Sequence, residues 1–417
     1  MQFIEQGAST AAVDASADAT SLPGAMANTL GELVDSIAAL SRMEASIAAF
    51  RAELIDQARQ WSEVTESQTA RHQGGWSASV VARRELVTEL ACALRIPERA
   101  AESLVEDSRS LLNELPATFA ALKVGAISWR HAHVLIDHAN SVPENTRLAF
   151  EAAVLAYATT QTVAKFDRAA RRERERVHPE SIDQRVVVAV ENRSIDLQPA
   201  RDGMAWLTAY LPAVTAHGIY NRITDMALAQ QSGTETRTLT QLRADLFAEL
   251  LLGERVSAIR PRVLITVPAM TLLGHSDEPV VLEGYGPIDL ETARELTANA
   301  PSLTRILTHP ETGAVLSVGR DKYAVPADLR LWLRVRDGTC RFPGCNRAAR
   351  KCDLDHTDDW QCGGHTAHNN LAHLCSAHHN VKHMTGWTVK QLRGGVLEWT
   401  SPAGKRYITE PETTPSA

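Results

Sequence analysis

Between Cys340 and His383 the chain carries five of its six cysteines and seven of its fifteen histidines. No other stretch restricts the fold as much, because thiolates and imidazoles are the ligands zinc prefers, and a shared ion forces distant segments together. Cys340-Arg-Phe-Pro-Gly-Cys345 has four residues between its cysteines, with Pro343 and Gly344 suited to a tight metal knuckle. Cys375-Ser-Ala-His378 has two residues between its ligands, the spacing with which a loop entering a helix aims both side chains at one ion. Three sulfurs and one nitrogen make a closed tetrahedral structural site for zinc. A disulfide or scattered core thiols would be the plainer reading. No secretory leader is read at the start of the chain, so a reducing compartment is expected, where disulfides are rare. Cys352 and Cys362 have no partner at short spacing and read as ordinary thiols. Cys92, in an apolar helical stretch, reads as a small buried hydrophobe.

A second set of residues lies between the two knuckles and just past the second: Asp355-His356, Gly363-Gly364, Asn370, and His379 directly after His378. In order and spacing this segment resembles the HNH endonuclease family, with His356, Asn370 and His379 at the three positions that name it. The resemblance implies a small ββα-metal module that hydrolyses DNA. Such hydrolysis needs a deprotonated water, charge stabilisation at the phosphate and help for the departing 3′ oxygen. His356 is then the general base, since a neutral imidazole accepts a proton at physiological pH. Asp355 and His379 would hold a catalytic magnesium or manganese ion, and Asn370 would brace the loop that aims His356. His383, one helical turn beyond His379, is placed to supplement that ion or to meet phosphate. His365, His368 and His373 read as solvated loop residues.

Charge is unevenly distributed. The formal net charge is −7, yet the segment from Pro326 onward holds twelve Lys/Arg against nine Asp/Glu. The C-terminal end therefore suits a polyanion better than the rest does. Arg341, Arg347, Arg350, Lys351 and Lys382 are the expected nucleic-acid contacts. No run of eighteen apolar residues exists, so no membrane span is expected and the chain reads as cytoplasmic.

Residues 5–25, rich in small and polar types, are expected to be disordered. Thr29-Leu-Gly-Glu32 reads as a capping box, opening a helix in which Leu30, Leu33, Ile37, Leu40 and Ile47 recur at helical spacing. Helical patterns follow over 78–95, 97–113, 116–124, 128–140, 145–157 and 160–177. The first two, joined at Arg95-Ile-Pro97, have the outline of a helix-turn-helix. Arg185–Val190 and Ala205–Leu211 read as strands joined near Asp202-Gly203, and helices are expected around 213–230 and 238–252. A strand at Arg262–Val267, a helix at 289–298 and a hairpin over Thr304–Val318 complete a small α+β unit. Trp387–Leu392 and Val396–Thr400 flank a Gly-Gly turn as a terminal hairpin.

Several softer motifs, among them Leu115-Pro-Ala-Thr-Phe119, Asp202-Gly-Met-Ala205, Gln241-Leu-Arg-Ala-Asp245 and Arg336-Asp337, resemble the actinobacterial domain of unknown function 222, which precedes HNH modules and includes a mycobacterial repeat family. The expected fold class is α+β: a mainly helical N-terminal region with a small α+β unit, then a ββα-metal (HNH) module with structural zinc knuckles. The expected boundaries are a disordered 1–27, a domain over 28–325, the module over 326–409 and a disordered tail over 410–417. The expected function is metal-dependent DNA cleavage. The alternative is a non-catalytic DNA-binding or regulatory protein that uses the zinc module as a platform.

Overall fold

The computed structural model describes residues 21–69, 75–178, 182–231, 235–252, 265–266, 271, 279–282, 285–298, 317–319 and 325–412. It divides into two compact units, one comprising Met1–Gln57 and Leu104–Pro179, the other Ala58–Ser103 and Glu180–Ala417. Seven helices lead the chain: α1 (Ser21–Thr69), α2 (Ala78–Leu94), α3 (Glu98–Asn113), α4 (Pro116–Lys123), α5 (Trp129–Ala139), α6 (Glu144–Ala158) and α7 (Val163–Val177). Their periodicity was plain in the sequence. Helix α1 begins at Ser21, ahead of the Thr29 box, with Pro23 in its first turn, where a missing N–H costs nothing. The rest of the expected disordered N-terminus lies outside the described residues.

The first unit is a helical bundle. Leu111, Leu115, Leu122, Leu135, Ile136, Phe150 and Phe166 form its core, against which α1 sets Ala45, Ala49 and Ala52. Small residues let the backbones approach closely. A Cβ at Gly125 (φ +73) would collide with Arg42 of α1. Glu151 is buried here because it accepts the otherwise orphan N–H of Thr118 at 2.6 Å, in the first turn of α4. Leu33, Ile37, Leu40 and Ile47, the other stripe of α1, are exposed.

The second unit contains α2 and the start of α3, and continues after Glu180. Helix α8 (Ile182–Glu191) corrects the expected strand at Arg185–Val190. A run of valines lowers helix propensity by only tenths of a kcal/mol per residue, so context decides the outcome. The strand partner of β2 (Ala205–Tyr210) is instead β1 (Ser194–Pro199), paired across the Asp202-Gly203 turn, where both residues take positive φ. Helices α9 (Ala213–Gln230) and α10 (Leu239–Leu252) pack through Ile223, Ala227, Leu242 and Leu246. Arg243 holds Thr224 Oγ1 at 3.0 Å and covers the Tyr220 ring, whereas Asp245 pairs with Arg237; both are anchors between helices or turns. Strands β3 (Ile265–Thr266), β4 (Val280–Leu282) and β5 (Gly286–Ile288) form a small antiparallel sheet, followed by α11 (Leu290–Ala298). Most of the expected Thr304–Val318 hairpin lies outside the described residues; β6 (Ser317–Gly319) is its described end.

From here the chain builds the platform for the site. Helix α12 (Ala327–Asp337) ends at Gly338 (φ 61). Strands β7 (Asp353–His356) and β9 (Leu371–Leu374) pair antiparallel, with Asp355 opposite Ala372 and His356 opposite Leu371. Between them β8 (Thr366–Ala367) pairs with β6. Helix α13 (Ser376–Met384) follows, and β10 (Thr388–Gln391), β11 (Leu397–Thr400) and β12 (Arg406–Thr409) close the unit as a three-stranded sheet. The expected two-stranded hairpin thus gains a third strand. Trp387 and Trp399 are 1% and 0% exposed and flank Phe342 edge-on at 5.0 Å, so they are core residues rather than base-stacking ones.

Candidate metal centres

The first centre is assembled by two turns. Gly344 (φ 77) closes the knuckle in which the Cys345 amide donates to Phe342 O at 3.2 Å, while the Cys340 amide donates to Arg347 O at 2.8 Å. Cys375 caps α13, which places His378 in the first turn on the same side. The donor atoms of Cys340, Cys345, Cys375 and His378 all lie within 4.8 Å of one another. His378 Nδ1 stands 3.4 Å from Cys340 Sγ and 3.2 Å from Cys375 Sγ. Sulfur and nitrogen ligands of one tetrahedral zinc stand roughly 3.5 Å apart, so the spacing fits. Burial lowers the His378 pKa, but contact with Cys345, Cys375 and Glu98 outweighs this and drives it up to about 11. The cluster can therefore coordinate a structural zinc ion. Cys352 and Cys362 stay outside this set. Cys92 is buried against it in the same apolar cluster, its thiol pushed up to about 12 by burial.

The second centre lies between β7, which supplies Asp355, and α13, which supplies His379 and His383. Asp355 Oδ1 is 3.3 Å from His379 Nε2 and 3.2 Å from His383 Nε2, and the three side chains form a second metal-capable group. Ligands of one octahedral ion stand roughly 3 Å apart, close to these separations. Burial raises the Asp355 pKa, but hydrogen bonds from His379 and His383 and the Lys382 ammonium more than offset it, holding the carboxyl well below its usual range. The same bond from Asp355 raises His379. His356, the next residue along β7, is 6% exposed and places Nε2 3.0 Å from Thr366 Oγ1. Burial lowers its pKa, so the imidazole is neutral at physiological pH. Adjacent strand residues face opposite ways, and β7 uses this to give Asp355 to the His pair and His356 to Thr366.

Asn370 joins the two sides of the intervening loop. It accepts from the Asp358 amide at 2.8 Å and donates to Asp358 O at 3.1 Å and His365 O at 2.9 Å. A Cβ on Gly364 would strike the Asp358 carbonyl and the Asn370 amide, which explains the second glycine of the pair. The loop's other end rests on α12. Buried Arg336 donates to His368 O at 2.6 Å and Leu371 O at 2.7 Å, and Asp337 accepts from His373 Nδ1 at 2.9 Å. His373 is thus a buried structural residue, contrary to the solvated role expected for it. His368 is half-buried against Trp332, and His365 alone of the three is exposed.

Two expected phosphate contacts are engaged inside the fold. Arg341 is 2% exposed and donates to Asp337 at 2.8 Å and to Gly395 O and Thr409 O at 2.9 Å. Lys382 is 8% exposed and bonds Asp355 at 2.6 Å, Asp359 at 3.1 Å and His356 O. Their charges neutralise buried carboxylates, a role that spacing in the sequence does not reveal. Arg347, Arg350 and Lys351 are exposed. Helices α2 and α3 follow one another through a left-handed turn at Arg95. Glu98, at the start of the second helix, however, contacts His378 and pairs with Arg84 at 3.0 Å, so that end is not presented to a groove. Sequence reasoning missed Glu98 and Thr366. A hydroxyl ten residues from His356 and a carboxylate 280 residues from His378 leave no local signal.

A family model described as "Domain of unknown function (DUF222)" matches residues 46–337. The chain belongs to the DUF222 family. The match ends at Asp337, before Cys340, so the residues of both centres follow the DUF222 domain. The chain is similar to the uncharacterized protein Rv3776 of Mycobacterium tuberculosis (strain ATCC 25618 / H37Rv), at 28% identity over 420 residues covering 87% of this chain and 78% of that protein. It is also similar to the uncharacterized protein Rv2100 of the same strain, at 35% identity over 138 residues, 33% of this chain and 24% of that one. No solved structure matches. No described helix is long and apolar enough to cross a membrane.

Proposed function

We propose that the module following the DUF222 domain is a metal-dependent HNH-type endonuclease that hydrolyses DNA phosphodiester bonds, with zinc as its structural ion. The observation that carries this reading is the convergence of Asp355, His379 and His383 within 4.8 Å, apart from the Cys3His set, with His356 next to Asp355 in the chain on β7. Two separate donor sets of different chemistry argue for two separate tasks. The sulfur-rich set suits a closed structural site. The carboxylate–imidazole set, reached from half-exposed His379, suits an ion that also meets substrate. Asp355, His379 and His383 would hold a magnesium or manganese ion, which would supply positive charge to stabilise the phosphoryl transfer, and two imidazoles favour manganese of the pair.

The protein's own groups do the rest. His356 takes the proton from a water whose oxygen bonds to phosphorus as the bond to the 3′ oxygen breaks. Thr366 fixes the orientation of the imidazole, and Asn370 holds the 358–365 loop around it. Lys382 keeps Asp355 ionised and in place. Arg347, Arg350 and Lys351 are exposed and available to the DNA backbone.

Supercoiled plasmid incubated with the full chain and manganese or magnesium tests the reading. Nicking that EDTA abolishes is the expected result. DNA binding without nicking under either ion would leave the zinc module as a platform and refute the enzyme.

A further inference from the structure

One side of α2 is occupied by the metal module although it is polar. Glu85 Oε1 accepts from the Gly386 amide at 2.7 Å, Thr88 Oγ1 from the Trp387 indole N–H at 2.9 Å, and Glu89 Oε1 from the Tyr407 hydroxyl at 3.1 Å. Cys92 then enters the apolar cluster of Phe342, Leu374, Trp387 and Trp399. Positions 85, 88, 89 and 92 share one helix face. After Leu94 the chain turns through Arg95 in the left-handed region, and the Ile96 amide bonds Ala91 O at 3.0 Å. Pro97 starts the next helix, whose first residue is Glu98. This corner aims the Glu98 carboxylate at His378 Nε2.

We propose that Glu98 is the outer-shell carboxylate of the Cys3His centre, so that the DUF222 helices α2 and α3 complete the metal site from outside. The inference rests on the zinc reading above. An imidazole has two nitrogens, and each of these has an assignment here. Nδ1 faces the sulfurs of Cys340 and Cys375. A carboxylate on Nε2 keeps the proton there, leaving the Nδ1 lone pair directed at the ion and making that nitrogen a stronger ligand. Glu98 is itself held by Arg84 Nη2 at 3.0 Å, and Phe342 stacks on the imidazole at 4.1 Å and 11°. The relay Arg84–Glu98–His378 runs from inside the DUF222 match to a residue well beyond it.

Zinc affinity of the full chain, measured by competition with a chromogenic chelator, tests the assignment. Glu98→Ala should weaken zinc binding roughly 10- to 100-fold, the usual worth of an outer-shell partner. Glu98→Gln, whose amide oxygen still accepts from Nε2, should recover part of that loss. Glu102→Ala, one turn further along α3 and paired only with exposed Arg83 in a 3.2 Å surface contact, should leave the affinity unchanged. Chelation should also raise amide exchange in 78–98 together with 340–384. The assignment is overturned if Glu98→Ala binds zinc like wild type, if Glu102→Ala weakens binding equally, or if 78–98 stays protected after chelation. Should Glu98→Ala fail to fold, a wild-type affinity in near-isosteric Glu98→Gln, with exchange at 78–98 unmoved by chelation, overturns it as well. Wild-type protein purified without zinc would instead refute the metal reading beneath it.

Discussion

Replacing His356 by alanine removes the proposed base while leaving every donor of both metal-capable groups in place. The cost to folding follows from the structure. The ring is 6% exposed and bonds Thr366 at 3.0 Å, so truncation loses about 1 kcal/mol of hydrogen bonding and about 2 kcal/mol of packing. A domain stable by about 5–15 kcal/mol tolerates this. Catalysis should suffer more: a positioned base is worth roughly 10²–10⁴ in rate, which is about 3–5 kcal/mol of barrier. Initial nicking rates of wild type and His356→Ala, at saturating manganese and matched zinc content, measure it. The pH profile separates base from metal ligand. His356 acts neutral and its pKa is lowered, so its acidic limb should begin below the ordinary imidazole range and stay put as manganese is raised. His379 is raised and must lose its proton to bind the ion, so a limb due to His379 should move to lower pH with more manganese. Wild-type nicking by His356→Ala would refute the mechanism.

Three further outcomes are expected. Gly364→Ala should spread the 358–365 loop and depress nicking while zinc content, measured by elemental analysis, stays at one ion per chain, because the new Cβ meets the Asp358 carbonyl and not the Cys3His set. Replacing Arg347, Arg350 and Lys351 together by alanine should weaken DNA binding and flatten its salt dependence by about 2–3 in logarithmic slope, whereas Arg341→Ala should lower the unfolding midpoint, because buried Asp337 loses one of its two guanidinium partners and the bonds to Gly395 O and Thr409 O are lost with it. A fragment starting at Pro326 should bind zinc yet be less stable than the same module in the full chain by about 3 kcal/mol, the worth of the three hydrogen bonds that α2 supplies to Gly386, Trp387 and Tyr407; equal denaturation midpoints would remove α2 from the module's fold.

Local spacing made much of this protein legible. Metal knuckles need ligands a few residues apart, so Cys340/Cys345 and Cys375/His378 announce themselves, and helices α2 to α7 follow from a 3.6-residue apolar repeat. His379 and His383 share a face for the same geometric reason. Where the sequence reading failed, the deciding energy was non-local. The valines of 185–190 have intrinsic preferences too weak to choose strand over helix without neighbours. Arg341, Lys382 and His373 looked like surface groups because charge in a sequence carries no sign of burial. Each is inside because a buried carboxylate, Asp337 or Asp355, makes desolvation tolerable. The polar face of α2 resembles any solvated helix side until Gly386, Trp387 and Tyr407 come to meet it. The sequence alone thus marked the local Cys/His pairs as metal-capable, because their spacing is short-range, while their convergence into one group came from the fold. Only the tertiary structure decided which charges are internal and that Glu98 reaches His378 across 280 residues of chain, since pairing of that kind depends on packing rather than on proximity in sequence.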